Sequence, residues 1–486
     1  MTTPKSAPPA GATDRPARQP SAAHIETHGI EYIPEHERYG RPRDMFFVWA
    51  GANVNFLSVV LGGSLVLLGL DLWQSLAVIL IGNLFWVFNG VLAIAGPVSG
   101  TPCSVLTRAT YGTHGNKVGT LLTNWSVCVA YAAVNLGLGA LAGFALLNQV
   151  GIAVTTAVEA IVVAVLAGAT LLISVYGHAL ILRLSPLFTA VLTSTLILLA
   201  GFVVAHAAPG RAPEGAPHGT DLTAALFIGF AIMASVPLSW GSGADYARYL
   251  PADASPKAVA WWTMLGGFVP TVLLSIVGVL AGTAVDMTDP QTSLAEIMPG
   301  WLYPLLLLTI VIGSLANNVL TTYSSGLALQ AMGIRIGQWT AVLLDGLAAT
   351  AITVYALFVT DFLDALSGIL ELTVAVLGPG LAISVAYVVL RRNHYRGPEL
   401  HDGTPTGPYW YHGGVNLAGV TAQLLGTATA ALCLNSLYVG PVASALGGAD
   451  LSAVFGPLVA GLVYTALFRT LYPRQLDRVR LARQRG

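Results

Sequence analysis

Four clusters of uncharged polar and aromatic side chains interrupt long apolar runs, and these are the residues in the chain able to do chemistry. They are Asn53 with Asn55, Tyr131 with Asn135, Ser239 with Trp240, and Asn317, Asn318 and Thr321. An Asn side chain carries one carbonyl acceptor and two N–H donors on a short arm. Such groups suit a neutral polar molecule. Catalysis calls for titratable groups converging on one cavity, whereas the charged residues here are scattered over different segments, which argues against a membrane enzyme. A channel calls for a continuous polar stripe or repeated rings, and neither is visible. The 10 His residues lie mostly in tails and loops without metal-ligand spacing. Gly241-x-Gly243 follows no strand and is no dinucleotide loop. Cys103, Cys128 and Cys433 show no pairing pattern and read as small apolar fillers. No cofactor, metal, nucleic acid or obligate protein partner is expected.

The clusters are set in a chain that is 55% apolar and only 9% charged. Its apolar residues gather into twelve stretches of about 20 residues, each long enough to cross a hydrocarbon core of about 30 Å. Spans 1 to 6 are expected near 45–70, 76–97, 118–147, 152–174, 181–205 and 224–242. Spans 7 to 12 follow near 258–285, 302–332, 340–359, 367–390, 415–437 and 453–471. The whole reads as one all-α polytopic membrane protein with the lipid bilayer as its solvent. Residues 1–44 form an N-terminal tail, largely disordered because it is rich in Pro, Ala and polar residues. It shows no short apolar core followed by a cleavage site, so no cleaved signal peptide is expected. Residues 45–390 hold spans 1–10, residues 391–472 hold a loop and spans 11 and 12, and 473–486 form a C-terminal tail.

All but Arg211 of the 22 Lys and Arg residues fall in the two tails or the even-numbered loops. The odd-numbered loops carry Asp71, Asp286, Asp289, Asp361, Asp364 and Asp450 instead. By the positive-inside rule both termini are cytoplasmic, in a multi-pass protein of the plasma membrane.

Two spans contain helix-breaking composition: Gly51-Ala52-Asn53-Val54-Asn55 in span 1 and Pro237-Leu238-Ser239-Trp240-Gly241-Ser242-Gly243 in span 6. Paired interruptions at matching places in two halves point to a transporter binding site. If spans 1–5 and 6–10 are repeats, spans 1 and 6 correspond, as do spans 3 and 8. Spans 3 and 8 are also the richest in uncharged polar groups, including Asn124, Tyr131 and Asn135, then Asn317, Asn318, Thr321, Thr322, Tyr323 and Ser324.

Several local strings occur in order: Ile33-Pro34 through Tyr39-Gly40 before span 1, then Trp49 followed by Asn53-Val54-Asn55 within it. Arg108-Ala109-Thr110-Tyr111-Gly112-Thr113-His114-Gly115 follows span 2, and Asp245-Tyr246-Ala247-Arg248-Tyr249-Leu250-Pro251 ends span 6. Ala316-Asn317-Asn318 with Tyr323-Ser324 lies in span 8. Together they resemble the purine/cytosine permease family, the nucleobase–cation symporters, and within it the purine–cytosine branch. The resemblance implies a five-plus-five inverted repeat of the leucine-transporter type with two further helices. It also implies a secondary active transporter that imports a nucleobase, cytosine or a purine, by cation symport. A transporter of hydantoin, allantoin or a thiamine-type pyrimidine is the alternative.

A site for a nucleobase needs aromatic faces to stack on and amides to read the ring edge. Tyr131 falls where the family usually has tryptophan, and Asn135, on the same helical face, matches the branch's asparagine. Trp240 lies at or one residue from the family's stacking tryptophan, with Ser239 as the in-register alternative. Thr321 stands where the branch often has a second asparagine. Of Asn53 and Asn55, one is expected to cap the broken helix and one to face the cavity. Asp245 and Arg248 are expected to form a structural pair. For the coupling ion, protons are favoured over sodium. Sodium-coupled relatives place two adjacent hydroxyl residues on span 8, and the matching positions here are Ala316 and Asn317. Glu159, Asp345 and Glu371 are the acids available to relay a proton.

Overall fold

In lipid every backbone polar group must find its partner within the protein, so uninterrupted apolar stretches become helices. A computed structural model describes residues 29–176, 178–210, 215–359, 373–435 and 438–476. The expectations for residues 1–28 and 477–486, and the acids Asp361, Asp364 and Glu371, lie outside the described residues. Among those described no strand forms, only two isolated bridges. The described residues hold 10 helices long and apolar enough to cross a membrane, and the bent pair Asp44–Asn53 and Phe56–Leu67 makes up to 11. Leu417–Cys433, with 17 residues, lies at the lower limit for a crossing. These elements stand in the places expected for the twelve spans.

Span 1 bends by 57° at its break. Asn55 is extended there (φ −140°, ψ 158°), and its side chain accepts the backbone N–H of Ser58, so it caps the second half-helix. Asn53 donates to the Trp49 carbonyl one turn back, at 2.8 Å. Span 6 stops after Ser239, turns through Trp240 (φ −97°, ψ 86°) and resumes at Gly243–Ala247. The Pro237 carbonyl, stranded where the helix ends, accepts Asn89 Nδ2 of span 2 at 2.8 Å. Spans 3 and 8 pass the two breaks as long helices, Gly115–Gln149 and Leu302–Ala331. Span 3 contains a π-helical turn at Leu121–Trp125, and the described part of span 10 opens with another at Thr373–Leu377.

The ends of the spans joined by the basic loops form one face of the bundle, and ordered chain covers part of it. Ile33 N–H donates to the Gly100 carbonyl and Tyr39 N–H to that of Tyr249. Arg248, wholly buried, donates to the Gly29 carbonyl at 2.7 Å and the Tyr323 hydroxyl at 3.0 Å. Asp245 does not close on Arg248 as expected. Its carboxylate instead accepts the backbone N–H of Cys103 at 2.7 Å, tying span 6 to the turn after span 2. The loop between spans 10 and 11 docks on the same face: Arg108 donates to the Leu400 carbonyl, and the Tyr411 hydroxyl to that of Ala109. Burial, then the nearby Arg108, lowers the pKa of His401 to about 4, so this imidazole is neutral at physiological pH.

Candidate functional site

The two breaks and spans 3, 8 and 10 enclose a central cavity. Asn53, Asn55, Tyr131, Asn135, Ser239, Trp240, Asn317 and Thr321 all line it. Eight of the nine expected binding residues therefore meet in one place, although they come from four spans. Asn318 is the exception. One residue further along span 8, it is rotated by roughly 100°, and its amide donates to the Ala132 carbonyl of span 3 at 3.0 Å. It braces two helices and does not face the cavity.

The amides at the cavity floor form a connected set. Asn135 Nδ2 donates to Asn317 Oδ1 at 3.1 Å, and Thr321 Oγ1 donates to the same oxygen at 3.2 Å. Asn317 Nδ2 donates to the Ala52 carbonyl at 3.2 Å, and Asn55 Nδ2 reaches that carbonyl at 2.8 Å. Asn317 is thereby committed on both ends of its carboxamide. Asn135 spends only one N–H on it, which leaves an oxygen and a second N–H for whatever enters. Ser239 turns its hydroxyl back to the Val236 carbonyl at 2.6 Å. Of the pair in span 6 it is thus Trp240 that offers the cavity a ring. Tyr131, one turn from Asn135, adds a second ring, and its buried hydroxyl stands beside those of Ser239 and Thr373.

From this floor the cavity runs toward the basic face, past Cys128, Asn124, Thr123 and Thr120 along span 3. Cys128 is therefore a wall residue and not merely a filler. The signal was present in the spacing: 124, 128, 131 and 135 fall on one stripe of a helix. Ser324, which continues the span-8 stripe of 317 and 321, also lines the wall, as do Gly380 and Ser384, which carried no such signal. A second cavity approaches from the opposite face, between Val60, Leu138, Tyr303 and the turn at Thr288 to Thr292. Asn55, Leu57 and Asn135 line both. The amide floor is thus the partition between two half-channels. Such an arrangement can admit a small molecule from either side in turn.

The candidate coupling acids separate. Glu159 lies in the first turn of span 4 and is partly exposed, so it is no embedded relay. Asp345 is buried in span 9 but does not line the cavity.

The family described as permease for cytosine/purines, uracil, thiamine, allantoin matches residues 32–456. Among curated relatives, YxlA of Bacillus subtilis (strain 168), whose name ranks it provisionally as a purine-cytosine permease, is 26% identical over 456 residues. That match covers 92% of this chain and 96% of YxlA. The allantoin permease of the same organism is 24% identical over 508 residues, covering 94% of this chain and 96% of its own. Among solved structures, Mhp1, a nucleobase-cation-symport-1 family transporter, in a closed conformation with bromovinylhydantoin bound, aligns with a TM-score of 0.70. It does so at 16% identity, over 94% of this chain and 99% of that one. This last likeness shows the fold, that of the leucine-transporter type.

Proposed function

Since the chain belongs to the family of permeases for cytosine/purines, uracil, thiamine and allantoin, and is a transporter and not an enzyme, we propose that it imports a nucleobase, cytosine or a purine. The observation that carries this reading is the half-occupied amide of Asn135 beside the rings of Tyr131 and Trp240. One acceptor and one donor on a short arm suit a lactam or amidine edge, and two aromatic faces suit a flat ring. The basic face is then cytoplasmic, in the plasma membrane. Uptake by cells expressing the chain, screened with labelled cytosine, adenine, hypoxanthine, guanine, uracil and allantoin, tests the reading. We expect uptake of at least one base to saturate in the micromolar range. Uptake of allantoin alone would transfer the assignment to the other branch; uptake of none, with protein in the membrane, would end it.

Asn135→Ala should weaken uptake by about tenfold, because it orphans a hydrogen-bonding group on the ligand at a cost of roughly 1–2 kcal/mol. The effect is moderate because Asn317 keeps Thr321 and Ala52 as partners and holds its place. Half-maximal uptake concentration is the measurement, at matched membrane abundance.

Symport with protons is the coupling we favour. In this architecture unwound backbone carbonyls hold the coupling sodium. Here the Ala52 carbonyl, at the end of the first half-helix, already accepts two amide N–H groups. That carbonyl is thus engaged, and Ala316 beside Asn317 contributes no side-chain oxygen. Replacing sodium by choline should change initial uptake by less than about twofold, whereas an uncoupler should lower it at least about tenfold. Uptake that needs sodium and survives the uncoupler would reverse the assignment.

A further inference from the structure

We propose that Asp345 is the side chain that carries the coupled proton, an inference that rests on the proton-symport reading above. Asp345 sits in span 9, Gln338–Phe358, and is only 1% exposed. Its neighbours Leu344 and Leu347 are exposed on the outer, lipid-facing side of the helix, so the carboxyl group points inward from the lipid. One carboxyl oxygen accepts Trp125 Nε1 at 2.5 Å. The other, Oδ2, and the hydroxyl of Ser325 on span 8 face each other, and neither has another partner. No described Lys, Arg or His forms an ion pair with it.

A bare carboxylate in that position keeps a desolvation penalty that two neutral donors offset only in part, and no described cation stands by to offset the rest. A carboxylic acid fits the same surroundings without loss. Its carbonyl oxygen accepts from Trp125, and its O–H is available to donate to Ser325. Ser325 can accept from the acid or donate to the carboxylate, so Trp125 and Ser325 can hold the group in either protonation state.

The location connects the acid to the substrate path. Trp125 ends the π-helical turn of span 3, and π turns recur at functional sites. Its chain neighbour Asn124, and Cys128 beyond, line the central cavity on its basic side. A movement of that turn displaces Trp125 from Asp345 and opens the carboxyl group toward cavity water. The carboxylate takes a proton from water on one side, crosses as the neutral acid, and returns the proton to water on the other.

The titratable groups around it are few. Cys128 on span 3 is within electrostatic reach of Asp345 and Asp245. On span 8, the Tyr323 hydroxyl is engaged by Arg248. Span 4 packs Leu171 against Gly346, and its acid Glu159 is in its first turn, at the far end. Of the other buried acids among the described residues, Asp245 has Arg248 near it, and Asp450 lies in the turn before span 12, accepting from Ser452. His401 is neutral throughout the physiological range, so it does not account for a pH dependence there.

The test uses the purified full chain in proteoliposomes with an imposed proton gradient and labelled cytosine and hypoxanthine as probes. Asp345→Asn should lower accumulation at least about tenfold, to equal concentrations on both sides, while counterflow exchange stays within about twofold of wild type. Asp345→Glu, which keeps an acid, should still accumulate. Trp125→Phe removes an N–H that favours the charged carboxylate, so the pH for half-maximal uptake should move to the alkaline side. A purely packing role leaves that pH unchanged. Accumulation by Asp345→Asn at the wild-type ratio overturns the proposal, as does an unmoved pH profile in Trp125→Phe. If wild type transports but ignores the uncoupler, the coupling assignment and this site fall together. If wild type takes up neither probe, the failure lies in the substrate reading.

Discussion

Gly278→Val is expected to eliminate folded protein from the membrane, whereas Gly201→Val leaves its amount and melting temperature nearly unchanged. Both glycines sit in spanning helices, and their surroundings differ completely. A Cβ at Gly278 in span 7 would strike the Val59 carbonyl oxygen and press on the Gly63 amide of span 1. Reciprocally, a Cβ at Gly62 would strike the backbone of Ser275. The two helices therefore cross backbone to backbone, as small residues permit in membranes where no hydrophobic force between helices is available. Backbone atoms cannot rotate aside as a side chain does. Overpacking there should cost about 3 kcal/mol or more, a large share of a marginal stability. The consequence reaches the site, because this crossing holds the second half of the broken span 1 and hence Asn55. At Gly201 nothing lies within 4 Å of an added Cβ. The monodisperse fraction after detergent extraction is the measurement, and equal recovery of both variants would show that the crossing is looser than described.

The placement of the spans and breaks was legible because each rests on a local property of the chain. Apolar run length gives a span. Gly51 to Asn55 and Pro237 to Gly243 marked both breaks, because amides, Gly and Pro at membrane depth are costly in a regular helix. The stripe through Tyr131 and Asn135 followed from helical periodicity alone. What escaped depends on contacts between spans. Asn317 and Asn318 are chemically identical neighbours, and only the packing of span 8 on span 3 decides that the first faces the cavity. Asp245 and Arg248 stand one turn apart, yet the nearest donor to Asp245 is a backbone amide from a distant loop. The π turns at Leu121–Trp125 and Thr373–Leu377 have no sequence signature, although both belong to the cavity's surroundings. The expected set also named three acids without choosing; a carboxyl group's consequence is set by burial and partners, which separate Asp345 from Glu159.

Trp240→Ala should weaken substrate uptake by roughly 5- to 150-fold, the equivalent of about 1–3 kcal/mol for a lost stacking face. The ring is positioned by the break itself. With the helix stopped at Ser239 and the backbone turned at φ −97°, ψ 86°, Trp240 leaves the helical path and lines the cavity. Its edge meets the buried Trp49 at 5.2 Å and 90°. Trp49 also contacts Trp86 at 5.7 Å and Tyr246 at 5.8 Å. Removing Trp240 thus takes one of three aromatic supports from Trp49 and leaves two, so the fold should survive. Trp49→Ala, which empties the centre of that cluster, should instead cost about 3–5 kcal/mol of stability and appear as lost protein. Half-maximal uptake concentration, read against membrane abundance, separates the two: a raised concentration with normal abundance for Trp240→Ala, and reduced abundance for Trp49→Ala. Trp240→Phe keeps a smaller face and should fall between wild type and alanine. Because Asn135 remains to read the ring edge, the alanine variant should keep the wild-type order of preference among bases while binding all of them less well. Wild-type kinetics in Trp240→Ala would remove this ring from the substrate site and leave Tyr131 as the stacking surface.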